Sequence, residues 1–298
     1  SAASDVYKRQ MRNRSLSAVA DRLTALSRDR FLDPYRRISW PEELSQDAWY
    51  FSPELIAGRG VPAVEELAES DRMRLSLCEA LNFFSLNIHG EKLLLQGLAA
   101  RLHEPRFDGV TAYLQHFIDE ENKHLHWFGE FCRRYGRVYP TRHVPLPSAP
   151  LPTDAEDFLF FARILVFEEI VDAYNHHMAG DERLAPVARL INLLHHEDET
   201  RHRAFGRHLV RHLWSEGAPD WTPDLRSVLA QRLETWLQAV WRDFYNPDVF
   251  RDVGLAEPHA LMREAWGTPR ARRLRHEIAA PVTGFLIRTG ALASETAA

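Results

Sequence analysis

The sequence predicts an all-α protein organised around a four-helix bundle, and three observations lead there. Apolar residues recur at helical spacing through several long segments, and no stretch of the 298 residues reads as a strand. Four of these segments form two pairs, each joined by a short turn that forces antiparallel neighbours. A proline-dense stretch separates the pairs. With 45% apolar and 27% charged residues, the chain has the composition of a folded protein with a sizeable core.

In chain order, a first helix is expected over residues 13–28, where Leu16, Val19, Leu23 and Leu26 share a face. Residues 1–10 have neither an apolar run nor helical periodicity and precede Met11. They read as a cloning remnant outside a single domain of residues 11–298. Pro34, Trp40, Pro41, Pro53 and Pro62 then imply an irregular segment wrapping the core. Ser70 is the expected N-cap of a long helix to Leu102, and Pro105 with Gly109 breaks it from a second helix ending at Tyr135. Between Gly136 and Thr153 stand Pro140, Pro145, Pro147, Pro150 and Pro152, a long crossover. The second pair spans 154–179 and 184–214, with Gly180 and Asp181 in the turn. Pair, crossover, pair is the ferritin-like order, with a core at about 70–214 and peripheral helices over 11–69 and 215–298. The last part is expected to hold a helix at 223–245, a break at Asn246 and Pro247, and shorter helices beyond Pro258.

Charge and cysteine usage narrow the function. The 42 acidic and 37 basic residues are interspersed and leave a net charge of −5, so nucleic acid is not an expected partner. The most apolar run, Phe158 to Phe167, contains Arg163 and ends in two glutamates, so no membrane span is expected. Cys78 and Cys132 fall in separate helices and outside any C-x-x-C pair, which makes a reducing cytoplasm the expected location.

The chemistry concentrates in two E-x-x-H motifs, Glu121 to His124 and Glu199 to His202, one in the second helix of each pair. Residues three apart on a helix share a face, so each motif can aim a carboxylate and an imidazole at one place. A di-metal bundle also needs an inward carboxylate from each partner helix. Glu91 precedes the first hairpin turn about as far as Glu121 follows it. In the second pair, Glu168 interrupts an apolar run where an unpaired charge would cost several kcal/mol. Periodicity alone leaves Glu169 open for this role; Phe161, Leu165 and Asp172 share the face of Glu168 and favour it. His195 lies on the stripe of Glu199 and His202 and offers a third nitrogen, whereas His196 does not. Glu120 and Asp198 are placed to accept N–H bonds from the histidines of the opposite pair. Four carboxylates and three imidazoles suit iron, or manganese, rather than a thiolate-preferring metal.

These residues resemble the di-iron N-oxygenase family typified by p-aminobenzoate N-oxygenase of aureothin biosynthesis. The resemblance rests on Glu91, the Glu121–His124 motif, Glu168, the run from His195 to His202, and the segment from Phe244 to Gly254, and it covers about residues 36–266. It implies two iron ions bridged by Glu121 and Glu199, with Glu91 and His124 on one and Glu168, His195 and His202 on the other. It further implies that dioxygen is the co-substrate and that a small-molecule amine is oxidised at nitrogen toward hydroxylamine or nitro, in natural-product metabolism. No G-x-G-x-x-G motif follows a strand, so electrons are expected from an external donor or reductase. A homodimer is compatible with this reading. Alternatives are a di-iron C-hydroxylase and a ferritin-like oxidase or radical-generating subunit. Phe128 stands where the radical tyrosine of the last would lie.

Overall fold

The computed structural model describes residues 2–141 and 149–293, with side chains from Leu16 onward. Its centre is two antiparallel helix pairs: α3 (Glu69–Ala99) with α4 (Thr111–Tyr135), and α5 (Thr153–Gly180) with α6 (Pro186–Gly217). The core bundle thus has the expected order. Residues 136–141 and 149–152 of the crossover are non-helical, and Pro145 and Pro147 lie outside the described residues.

Around the bundle stand α1 (Ala2–Asp29), the one-turn α2 (Pro62–Glu65), α7 (Pro223–Phe244), α8 (Pro247–Asp252), α9 (Pro258–Gly267) and α10 (Pro269–Thr289). Six helices open on proline, whose fixed φ suits the first turn and whose missing N–H is not needed there. Thr222, Asn246 and Thr268 cap their helices by accepting from a backbone N–H.

Several boundaries differ from expectation. The first helix extends back to Ala2, because Ala, Lys, Arg, Gln and Met sustain a helix without an apolar face to bury. The N-cap of α3 is Ala68, without a side-chain bond, and Ser70 falls inside the first turn. The final helix α10 is 21 residues long and continues through Pro281, so it is not one of the short helices expected there. Among the described residues, β pairing is confined to one bridge between Trp49 and Leu184. It ties the wrapping segment to the α5–α6 turn, where Ser52 also donates to Asp181 at 2.7 Å.

Two contacts set the height of the functional residues. On α3, a Cβ at Gly90 or Gly97 would come within 2.3 Å of the Phe167 ring or 2.0 Å of the Phe160 ring. Only glycine lets α3 approach α5 this closely, and the matched seven-residue spacings lock the register. Buried Asp157 of α5 accepts from Arg101 at 2.8 Å and Arg106 at 2.5 Å, pinning the α3–α4 turn to the second pair. Both cysteines are free thiols, and among the described residues no helix is long and apolar enough to cross a membrane.

Candidate metal centre

At mid-height the four core helices turn seven side chains inward: Glu91 from α3, Glu121 and His124 from α4, Glu168 from α5, and His195, Glu199 and His202 from α6. None is more than 3% exposed, so water cannot solvate their charges. Their donor atoms fall into three groups, each within 4.8 Å: Glu91–His124–His195, Glu121–Glu168–His202 and Glu121–His124–Glu199. Glu121 belongs to two groups, and Glu199 Oε1 lies 3.1 Å from His195 Nε2 and 3.3 Å from His202 Nδ1. These two carboxylates can therefore span a pair of cations.

The grouping differs in one part from the ligand division implied by resemblance. His195 joins Glu91 and His124, with Nε2 3.5 Å from Glu91 Oε1, rather than Glu168 and His202. The reason lies in helix geometry. His195 is one turn before Glu199 and His202 one turn after it, so the two histidines are about 10.5 Å apart along the axis and fall in different groups.

The adjacent acids on α5 also separate. Glu168 points inward with neither oxygen hydrogen-bonded, whereas Glu169, also buried, accepts from Arg207 at 2.5 Å. His196 turns away to Asp172 at 2.7 Å and His176 at 3.3 Å.

Crossed bonds between α4 and α6 hold the motif histidines. His202 Nε2 lies 2.8 Å from Glu120 Oε2, and His124 Nε2 lies 3.2 Å from Asp198 Oδ2. Each bond fixes a ring with Nε2 outward and Nδ1 facing the centre. Phe117 stacks on His202 at 4.0 Å, and Phe128 meets His195 edge-on at 4.9 Å, which restrains both rings.

The sequence did not reveal what holds the outer acids. Arg201 donates to Glu120 at 2.5 Å and to Asp198, while its Nε reaches Ser27 of α1 at 3.1 Å. Lys123 Nζ lies 3.0 Å from Asp198. Asn175, also missed, is 2.5 Å from His195 Nδ1. Arg201→Lys should keep the charge but engage only one acid. The expected cost is about 1–3 kcal/mol in urea unfolding, the range of one lost charge-assisted bond. Unchanged stability would show that the fork is not needed.

Proton affinities reflect the crowding. Burial, reinforced by Glu199, holds the Glu168 carboxyl well above the usual carboxylate range. Burial raises Glu91 to about 7 against the pull of His195. Burial opposes charge on His195 as well, but Glu199 and Glu91 overcome it and push the imidazole up to about 10.

The sequence profile of the p-aminobenzoate N-oxygenase AurF matches residues 13–290, nearly the whole chain. The protein belongs to the AurF family. Membership makes this AurF-family chain an oxygen-using oxidoreductase, and the match includes every helix that lines the centre. No curated protein matches the sequence. Among solved structures, the R2-like ligand-binding oxidase with an aerobically reconstituted Mn/Fe cofactor aligns with TM-score 0.46 and 15% identity over 93% of this chain and 92% of that one. Two variants of that oxidase with Mn/Fe cofactors give TM-scores of 0.48 and 0.47 at 15% and 16% identity, over 93% of both chains.

Proposed function

We propose that this AurF-family chain is a non-haem di-iron N-oxygenase that uses dioxygen to oxidise the nitrogen of a small-molecule amine toward hydroxylamine or nitro. The observation that carries it is the set of buried carboxylate oxygens without a hydrogen bond: both of Glu91, both of Glu168, Oε1 of Glu121 and Oε2 of Glu199, facing three imidazoles. Buried polar atoms are almost always paired, so six orphans converging on one point call for cations. All-oxygen and nitrogen donors select iron, with manganese as the alternative.

In this reading Glu91, His124 and His195 would hold one metal and Glu168 and His202 the other, with Glu121 and Glu199 available to both. When bound, the pair supplies the electrons and the Lewis acidity that oxygen activation requires. The chain's own residues do the rest. Glu120 and Asp198 keep the Nε2 protons of His202 and His124, so Nδ1 of each ring stays free for metal. Arg201 and Lys123 hold those acids ionised. Phe117, Phe128 and Leu165, all buried, exclude water that would otherwise compete for the centre. An external donor or reductase supplies electrons from outside the fold.

The test is anaerobic loading with ferrous iron, metal analysis, and one turnover with labelled dioxygen and a panel of aryl and alkyl amines. Two irons per chain and label on nitrogen are expected. Label on carbon would replace N-oxygenation by C-hydroxylation, and a chain that takes up no metal would end the proposal.

A further inference from the structure

We propose that Asn175 is the positioning residue that makes Nε2 of His195, rather than Nδ1, the metal-facing nitrogen, by accepting a hydrogen bond from Nδ1–H through its side-chain oxygen. The inference rests on the two-metal reading above and concerns a residue outside the ligand set.

Asn175 lies on α5 seven positions beyond Glu168, and its side chain is fully buried. Its amide is 2.5 Å from His195 Nδ1. On the other side of the ring, Nε2 faces Glu199 Oε1 at 3.1 Å and Glu91 Oε1 at 3.5 Å. A nitrogen between two carboxylates is the one that gives its proton up to an entering cation. The remaining ring proton must then sit on Nδ1, and the group opposite must accept it.

The amide nitrogen and oxygen of asparagine exchange places by a half-turn about χ2 with almost no change in shape. In the orientation drawn, Nδ2 faces Nδ1 and Oδ1 has no partner. With the amide turned over, Oδ1 gains the Nδ1–H bond and the Nε2 lone pair points between Glu91 and Glu199. The arrangement inverts the other two histidines, which face the centre through Nδ1 and are held at Nε2 by ionised acids. A neutral amide polarises its ring less than a carboxylate does, so His195 is the weaker donor and the two metals are inequivalent.

Asn175→Asp decides the matter, because it keeps the shape and the acceptor while removing the donor. Anaerobic cobalt(II) titration of the whole chain, followed by absorption, should show two sites in the wild type. In Asn175→Asp both sites should bind as tightly as in the wild type, or more tightly. In Asn175→Leu one of the two should weaken by about 10–100-fold, the usual effect of losing such a support. A tenfold or greater loss in Asn175→Asp would mean that the amide donates to Nδ1 and would overturn the proposal, as would unchanged binding in Asn175→Leu. A wild type that binds no cobalt or iron would instead strike at the two-metal reading itself.

Discussion

Glu168→Met is expected to stabilise the metal-free protein while removing its capacity to hold two metals and to use oxygen. The carboxylate is 3% exposed, neither oxygen has a hydrogen bond, and Glu199 and Glu121 add repulsion. His202 and Arg203 offset its desolvation only in part, so an apolar side chain of similar length should gain roughly 2–4 kcal/mol in urea unfolding of chelator-treated protein. Metal content should drop from two ions per chain to one or fewer, and oxygen-dependent turnover should fall by about three orders of magnitude or more. The neighbour supplies the control. Glu169 is also buried, but it is paired with Arg207, so Glu169→Met should destabilise by about 1–3 kcal/mol through the lost charge-assisted bond and leave metal content alone. If the two variants behaved alike, or if Glu168→Met lost stability without metal, the centre would not be the strained cluster described here. The opposite signs at adjacent positions are the signature of a site whose residues are placed for chemistry at the expense of the fold.

What the sequence revealed of this centre, and what it hid, follows from the reach of helical periodicity. Spacing within one helix identifies a shared face, so Glu121 with His124 and Glu199 with His202 were legible, as were the two hairpins and the crossover. Spacing across a hairpin gave the height of Glu91, because matched distances from a tight turn survive antiparallel packing, and Glu168 stood out as a charge inside an apolar run. Periodicity cannot say which half of a two-metal cluster a side chain joins. Resemblance groups His195 with His202, whereas the packed helices place it beside Glu91 and His124. Nor can it pair residues from non-consecutive helices: the bond of Arg201 to Glu120, or of Asn175 to His195, depends on how α4 and α5 pack on α6. One signal was present for the first of these. The two motifs repeat as acid, Glu, any residue, cation, His, over Glu120–His124 and Asp198–His202, and the repeat includes Lys123 and Arg201. The start of α1 was illegible for another reason, since residues with good helix propensity extend a helix without leaving an apolar stripe.

Glu79→Gln should stabilise the protein at neutral and alkaline pH and leave it nearly unchanged near pH 4. Glu79 lies on α3 well before Glu91 and is buried in a crevice lined by Phe51, Tyr174, Phe244 and Tyr245. Its Oε1 accepts from the Ala57 N–H at 3.0 Å, and Arg59 and Arg270 also line the crevice without an ion pair to it among the described residues. Burial outweighs that single bond and pushes the carboxyl up to about 8 from an ordinary 4.5. Below the ordinary value both folded and unfolded chains are protonated, and the group costs nothing. Between about 4.5 and 8 the unfolded chain releases the proton while the folded chain retains it, so stability falls as pH rises. Above that window both are ionised and the penalty is at its full value, roughly 3–5 kcal/mol for a displacement of this size. Glutamine keeps the carbonyl that accepts from Ala57 and has no proton to lose, so the difference between variant and wild type should open across that window and then level off. Urea unfolding at pH 4, 6, 7 and 9 measures it directly. A difference that is constant with pH, or that closes toward alkaline pH, would place the Glu79 carboxylate in an environment that tolerates its charge.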